Sequence, residues 1–114
     1  MAVPEPGVPV NASPTRARHC ASAQVPGGHP CLAGHFPGNP VVPAVVLLDR
    51  VLDALHAWRG PQWRLHRIVA AKFVSALRPD ERFQIELTMD GTRLDFRCQC
   101  DDRLLAHGSW EVAQ

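Results

Sequence analysis

A single helical segment, followed only by strand patterns, is the feature that most constrains the fold. From Pro43 to about Trp58 the chain predicts a helix, with Pro43 at the first helical position and Gly60-Pro61 ending it. Its first turns are apolar almost all round, so we expect the start of the helix to be buried. Its broad apolar face comprises Leu47, Leu48, Val51, Leu52, Leu55 and Trp58.

The other regular segments are typical of β-strands. Residues 16–25 alternate with small apolar side chains, residues 62–77 form a long mixed candidate, and three later segments alternate cleanly. Asp90-Gly91 and Asp101-Asp102 predict the turns between those three. Because one helix cannot bury itself, we predict an α+β fold in which a long helix is wrapped by a curved antiparallel sheet. The expected inward positions are Phe83, Ile85, Leu87 and Met89, then Leu94, Phe96, Cys98 and Cys100, then Leu104, Ala106, Gly108, Trp110 and Val112.

Length and composition narrow the class of protein. The 114 residues predict a flexible proline-rich tail over residues 1–15 and one folded domain over residues 16–114. The net charge is +1 and there is no lysine-rich run, so we expect no nucleic-acid partner. The longest apolar run, Pro40 to Leu48, is too short to span a membrane, and no signal-peptide pattern is present, so we expect a cytoplasmic protein with reduced cysteines.

The stretch "GHFPGNPVVPA", Gly34 to Ala44, places a histidine in a stiff loop directly before the helix. Histidine is a common general acid or base because its reference pKa of about 6.5 lies near neutral pH. The three prolines restrict the backbone and could hold the imidazole of His35 at a fixed angle. The alternative is a loop histidine that only hydrogen-bonds its neighbours.

Two features of the predicted helix could complete such a site. Asp49 shares a stripe with Arg50, Asp53 and His56, which is either an ordinary solvated face or a face towards a partner subunit, where the carboxyl could act as an acid. The first backbone N–H groups, at Ala44-Val45, could bind a carbonyl oxygen that becomes negative during a reaction. Every helix has such an end, so this feature alone is not specific.

The cysteines and remaining histidines indicate no second site. His19, Cys20, His29, Cys31 and His35 lie close together in sequence, but their spacing matches no familiar pair of zinc ligands, so we expect no metal. Cys98 and Cys100 point to the same face of a strand and are predicted to be core thiols.

The stretch "GHFPGNPVVPAVVLLD" closely resembles the signature of the hot-dog fold 3-hydroxyacyl-[acyl carrier protein] dehydratases of the FabA/FabZ type. The prolines, glycines, histidine and acid all fall in register. "AKFVSALRPDERFQIEL" is similar to the strand of that family that ends in a Pro-Gly/Asp turn. The short chain and "HPCLAGHFPGNPVVP" also resemble dehydratases of aryl-polyene pigment clusters.

The resemblance implies a dimer that dehydrates a 3-hydroxyacyl thioester in fatty acid, polyketide or aryl-polyene synthesis. His35 of one protomer would take the proton next to the carbonyl, Asp49 of the other would protonate the departing hydroxyl, and the Ala44 amide would bind the thioester oxygen. The substrate would arrive on the phosphopantetheine of an acidic acyl carrier protein, and no cofactor would be needed. The implied pocket residues are Phe36, Pro37, Gly38, Val42, Pro43 and Val45; candidate carrier contacts are Arg59, Arg64, Arg67 and Lys72.

Two departures from the family pattern keep alternatives open. Ala44 stands where the family usually has glycine, and its methyl group would narrow or reshape the pocket. The acid is aspartate, as in the branch that includes enzymes that also isomerise the double bond. The alternatives are a hot-dog acyl thioesterase and a non-catalytic hot-dog subunit that binds an acyl carrier or an active paralogue. The assembly could be a homodimer, a higher oligomer or a heterodimer with a related hot-dog subunit.

Overall fold

The fold consists of one long helix and five strands. A computed structural model describes residues 16–29 and 41–114, and the predicted tail over residues 1–15 lies outside the described residues. No helix in these two ranges is long and apolar enough to cross a membrane. The elements in chain order are β1 (Arg16–Gln24), α1 (Ala44–Arg59), β2 (Arg64–Phe73), β3 (Arg82–Asp90), β4 (Arg93–Cys100) and β5 (Arg103–Ala113).

The five strands form one antiparallel sheet in the order β1-β3-β4-β5-β2. The segment containing α1 connects the two edge strands, and β3, β4 and β5 then fill the sheet between them as a meander. Inward side chains of β3, β4 and β5 pack with the apolar face of α1 into one core. The predicted α+β architecture, a long helix against a curved antiparallel sheet, is confirmed.

The helix α1 lies within one residue of its predicted bounds. Pro43 is the N-cap residue rather than the first helical residue, with extended dihedrals of φ −61° and ψ 147°. Gly60 ends the helix, as predicted, with φ 108° and its N–H bonded to the carbonyl of His56 at 2.9 Å. The expectation of a buried helix start is wrong for Ala44 and Val45, which are exposed, Val45 by 63%, whereas it is confirmed for Val46 and Leu47. The buried residues of α1 are Val46, Leu47, Val51, Ala54 and Leu55.

The inward positions predicted for β3 and β4 are confirmed, and those for β5 need one correction. Every predicted inward residue of β3 and β4 is buried. In β5, Leu105 is fully buried and Leu104 only partly, although the alternation predicts Leu104 as the inward residue. The reason is a register shift, since Cys98 pairs with Ala106 and the next residue, Gln99, pairs with Leu104. Such a bulge inserts one residue and reverses the alternation beyond it.

The edge strand β2 has no clear inner and outer face. Nine of its ten residues are exposed, and only Leu65 is partly buried. Two register shifts interrupt its pairing with β5, between Leu65 and Arg67 and between Ile68 and Ala70. Ile68 and Val69 are 46% and 50% exposed, so apolar side chains of this strand face solvent in the single chain.

Candidate active site

The start of α1 presents two backbone N–H groups that no described residue accepts from. The carbonyl of Pro43 accepts from the N–H of Val46 at 3.0 Å and of Leu47 at 3.4 Å. Within residues 16–29 and 41–114, the N–H groups of Ala44 and Val45 have no hydrogen-bond acceptor. There is no side-chain cap and no acidic residue in the first turn. This end of the helix therefore keeps its partial positive charge for an external oxygen.

An open apolar cavity of about 330 Å³ lies against this helix start. Its lining includes Val42, Ala44, Leu47, Phe73, Val74 and Leu77. Val42 is held there because its N–H donates to the carbonyl of Leu77 at 2.8 Å. Polar helix-end donors beside an apolar wall suit a ligand with a carbonyl group joined to a hydrocarbon chain.

Five of the nine residues that line the cavity come from a part of the chain that the sequence did not assign to a site. Phe73, Val74 and Leu77 belong to the end of β2 and the connector that follows it. The run "FVSAL", in which apolar residues continue past the strand, is the sequence signal that could have indicated them. Of the predicted pocket residues, Val42 lines the cavity and is buried. Pro43 is the N-cap residue of α1. Val45 is not part of the cavity lining, and most of its surface is exposed.

Asp49 differs from the other polar residues of its helical stripe. Arg50 pairs with Asp53 at 3.4 Å and also donates to the carbonyl of Gln24. The Nε2–H of His56 donates to the carbonyl of Trp63 at 2.8 Å. Asp49 is exposed, and its carboxylate has no hydrogen bond or ion pair with any residue in the described ranges. The stripe is therefore not a uniform set of surface pairs, because one carboxylate is left without a partner.

The predicted residues His35, Phe36, Pro37 and Gly38 lie outside the described residues, as does Cys31. Among residues 16–29 and 41–114, no group of three histidine, cysteine or acidic side chains could hold a metal ion. Cys98 and Cys100 are buried, as predicted for core thiols. Burial raises the pKa of the Cys98 thiol to about 12, so this cysteine stays protonated.

The four cationic residues named as carrier contacts fall into two pairs. Arg67 makes two hydrogen bonds to Glu111, which hold the pKa of its guanidinium above its usual value. The guanidinium of Arg59 lies 5.1 Å from the ring centre of Trp58 and 5.9 Å from that of Trp63. Arg64 and Lys72 have no such partner in the described part of the chain. They are the two cations of the group that remain available for an acidic partner.

The family model for ApeI-like proteins, described as ApeI dehydratase, matches residues 11–109. The chain belongs to the ApeI-like family. Its curated relatives include 3-hydroxyacyl-[acyl-carrier-protein] dehydratases FabZ. The one from Ligilactobacillus salivarius (strain UCC118) is 33% identical over 67 residues, covering 53% of this chain and 48% of the relative. The one from Thermomicrobium roseum is 29% identical over 91 residues, covering 69% and 61%. The chain spans about half the length of the first of these relatives.

Solved structures confirm the hot-dog fold for this member of the ApeI-like family. The dehydratase heterocomplex ApeI:P from Xenorhabdus doucetiae matches with a TM-score of 0.75 at 22% identity, covering 87% of this chain and 94% of that one. An uncharacterized protein from Erwinia carotovora matches with a TM-score of 0.76 at 21% identity, covering 90% and 87%. The fluoroacetyl-CoA thioesterase FlK reaches 0.60 at 16% identity, covering 90% and 88%. At these identities the likeness concerns the fold.

Proposed function

We propose that this chain dehydrates a 3-hydroxyacyl thioester, carried on acyl carrier protein, to the trans-2-enoyl thioester. Membership of the ApeI-like family supports the class of reaction. The observation that carries the proposal is the start of α1, where the unpaired N–H groups of Ala44 and Val45 meet an apolar cavity directly after the GHFPG stretch. Backbone donors at such a position stabilise the oxyanion that forms when a thioester is deprotonated at its α-carbon.

The chemistry divides between His35, Asp49 and the helix start. His35 takes the proton from the carbon next to the carbonyl, and the electron pair of that C–H bond forms the enolate. Asp49 gives a proton to the 3-hydroxyl group, the C–O bond breaks, and water leaves as the double bond forms. The Ala44 amide binds the thioester oxygen, a contact of a kind that contributes ~3 kcal/mol. The carboxylate of Asp49 supports this role, because no residue of the described ranges pairs with it and it is exposed to an incoming substrate.

The methyl group of Ala44 affects which acyl groups can enter the cavity. Ala44 lines the cavity beside Leu47 and Phe73. The backbone N–H needed for the thioester oxygen is the same as that of glycine, whereas the methyl group takes space next to it. We propose that it restricts the acyl group close to the thioester rather than abolishing the reaction.

We propose that the active protein is a dimer joined through the edge of β2. The strand has one unpaired edge, and Ile68, Val69 and Phe73 remain exposed in the single chain. A second copy pairing there would cover this apolar surface and satisfy the edge hydrogen bonds. In this dimer His35 of one protomer works with Asp49 of the other. The proposed substrate carrier is acidic, and Arg64 and Lys72 are the proposed contacts; the reaction needs no cofactor.

Replacing His35 is the direct test of the proposed chemistry. Loss of the general base in His35→Ala should lower kcat for dehydration of a 3-hydroxyacyl carrier thioester by about hundredfold or more. The matched control is His107→Ala, because His107 is an exposed histidine on the outer face of β5. Activity would be followed by mass spectrometry of the carrier, which also detects thiol release by a thioesterase. Wild-type protein that forms no enoyl product at any chain length would rule out the dehydratase.

A second candidate is a hot-dog subunit that acts only together with a related chain. The structural neighbour ApeI:P, a dehydratase heterocomplex, supports it. Native mass spectrometry separates the two candidates. An inert homodimer that becomes active when a related hot-dog chain joins it supports the subunit, whereas turnover by the homodimer supports the enzyme on its own.

A further inference from the structure

The connector between β2 and β3, residues 74–81, is firmly attached to the sheet. The N–H groups of Val74 and Ser75 donate to the carbonyl of Leu105 at 2.8 and 3.3 Å. At its other end, Glu81 accepts from the N–H of Arg78 at 2.8 Å and from the guanidinium of Arg103 at 3.1 Å. Both ends of the connector are therefore fixed to β5, so it can serve as a rigid support for other parts of the chain.

This support holds the chain on both sides of residues 30–40. On the upstream side, the N–H of Asp80 donates to the carbonyl of Val25 at 2.8 Å, and the side chain of Gln24 donates to the carbonyl of Asp80 at 3.0 Å. On the downstream side, Val42 donates to the carbonyl of Leu77 at 2.8 Å. The described residues on both sides of residues 30–40 are thus bonded to the same short connector.

The side chain of Asp80 adds a bond that the backbone alone could not make. Its Oδ1 accepts from the N–H of Gly27 at 3.0 Å, at the first turn after β1. A Cβ atom at position 27 would lie only 2.9 Å from Oδ2, so the carboxylate is in close contact with this glycine. The carboxylate of Asp80 therefore holds the backbone of this turn through the N–H of Gly27.

The backbone of Asp80 has a conformation in which glycine would be the ordinary residue. Its φ is 68°, in the left-handed region that glycine adopts without strain and that residues with a Cβ atom occupy less readily. The other described non-glycine residue with positive φ is Asp101, at 53° in the β4–β5 turn. Asp101 offers the same residue type in the same backbone region, but its turn joins β4 to β5 and holds neither flank of residues 30–40.

We infer that Asp80 is a positioning residue of the proposed dehydratase: its bond to Gly27 fixes the chain just before residues 30–40, the stretch of sequence that carries His35. The inference rests on the proposed function. It concerns the placement of the base rather than contact with substrate, so its loss lowers kcat and leaves KM nearly unchanged.

The test compares Asp80→Gly, Asp80→Asn and Asp101→Gly. Asp80→Gly keeps the left-handed backbone and removes the bond to Gly27, and we expect kcat to fall about tenfold, as for a small misplacement of a catalytic group. Asparagine tolerates this backbone region and keeps an acceptor oxygen, so Asp80→Asn should recover most of the activity. Asp101→Gly should behave as the wild type. Amide exchange at Gly27 should become about five- to tenfold faster in Asp80→Gly only.

Three outcomes would overturn the inference. They are a kcat of Asp80→Gly within about twofold of the wild type, an Asp80→Asn variant as impaired as Asp80→Gly, and an equal loss in Asp101→Gly. A wild-type protein without dehydratase activity would instead refute the proposed function. In that case, if amide exchange at Gly27 is unchanged in Asp80→Gly, the structural role of Asp80 is refuted as well. If amide exchange is faster, Asp80 remains a structural anchor of the turn, and only its role in the proposed catalysis is refuted.

Discussion

β1 and β2 are the two edge strands of one sheet, yet the chain covers one and leaves the other open. In β1, exposed polar residues alternate with partly buried ones that face α1, and the ring of His19 stacks on Trp58 at 5.2 Å. In β2, nine of ten residues are exposed, including Ile68 and Val69. An edge strand with exposed apolar side chains is a liability unless another chain pairs with it. The difference makes the edge of β2, rather than that of β1, the place where we expect a partner to pair.

The cavity at the start of α1 lies beside the end of β2. Phe73 is the last residue of β2 and lines the cavity, although it is 44% exposed in the single chain. A partner that covers β2 would therefore also enclose the mouth of the cavity and exclude water from it. This connects assembly with the proposed chemistry, because oxyanion contacts are worth more away from water.

Placing a charge on the exposed face of β2 should have the largest effect on assembly and activity. Ile68→Asp should convert a dimer of twice the 12.5 kDa chain mass into a monomer, because the edge would then bury a carboxylate. We expect dehydratase activity to fall at least about tenfold with it. Light scattering after size exclusion gives the mass. The control is Ser22→Asp, an exposed position on β1, which should remain dimeric. A dimeric Ile68→Asp protein would show that the partner does not pair at β2.

A methyl group at Gly108 should weaken the attachment of β2 to the sheet. A Cβ atom there would collide with the carbonyl oxygen of Ala70 in β2 and lie 2.8 Å from the ring of Phe96. Gly108→Ala should therefore lower the free energy of unfolding by about 1–3 kcal/mol. At Gly28 a Cβ atom would meet nothing within 4 Å, so Gly28→Ala is the matched control. Urea denaturation of both variants checks the prediction, and equal stabilities would contradict the close packing at Gly108.

The smallest expected effect concerns Glu81, which links the start of β3 to β5. The hydrogen bond from the Arg78 N–H, and then Arg103, hold the pKa of this carboxyl below its usual range. A lowered folded-state pKa stabilises the protein above the unfolded pKa of about 4.3, and this stabilisation is lost as the pH falls through the folded-state pKa. Glu81→Gln should lower Tm by about 2–4 °C at pH 7 and by nothing measurable near pH 2. An equal difference at both pH values would contradict a role for the charge.

Most of the fold could be predicted from the sequence because α1, β3 and β4 each bury one regular face. β5 was partly mispredicted because the bulge at Leu104 and Leu105 depends on pairing with β4, which alternation along one strand does not record. The pattern of β2 was mixed for a physical reason, since a strand exposed on both faces in the single chain need not alternate. The exposed start of α1 has a similar cause: Val45 is apolar, and residues 16–29 and 41–114 leave most of it uncovered.

The helix start of the candidate site could be predicted from the sequence, and most of the cavity wall could not. Ala44 could be identified from the predicted helix start, and Val42 from the resemblance of the surrounding stretch to the dehydratase signature. Phe73 and Leu77 come from a distant connector and reach the cavity only through the path of β2. Asp49 was ambiguous on the helical pattern, and its difference from Arg50 and Asp53 became visible only when the ion pair of those two residues was known.

Complementation between two inactive variants tests the central claim, a dehydratase site shared by two protomers. His35→Ala and Asp49→Asn chains, each inert alone, would be co-expressed with different tags and the mixed dimer purified. Such a dimer contains one site with both His35 and Asp49 intact, and we predict about half the wild-type turnover per dimer, since one of its two sites remains whole. A mixed dimer as inert as its parents, beside an active wild type, would contradict a site formed across the β2 edge.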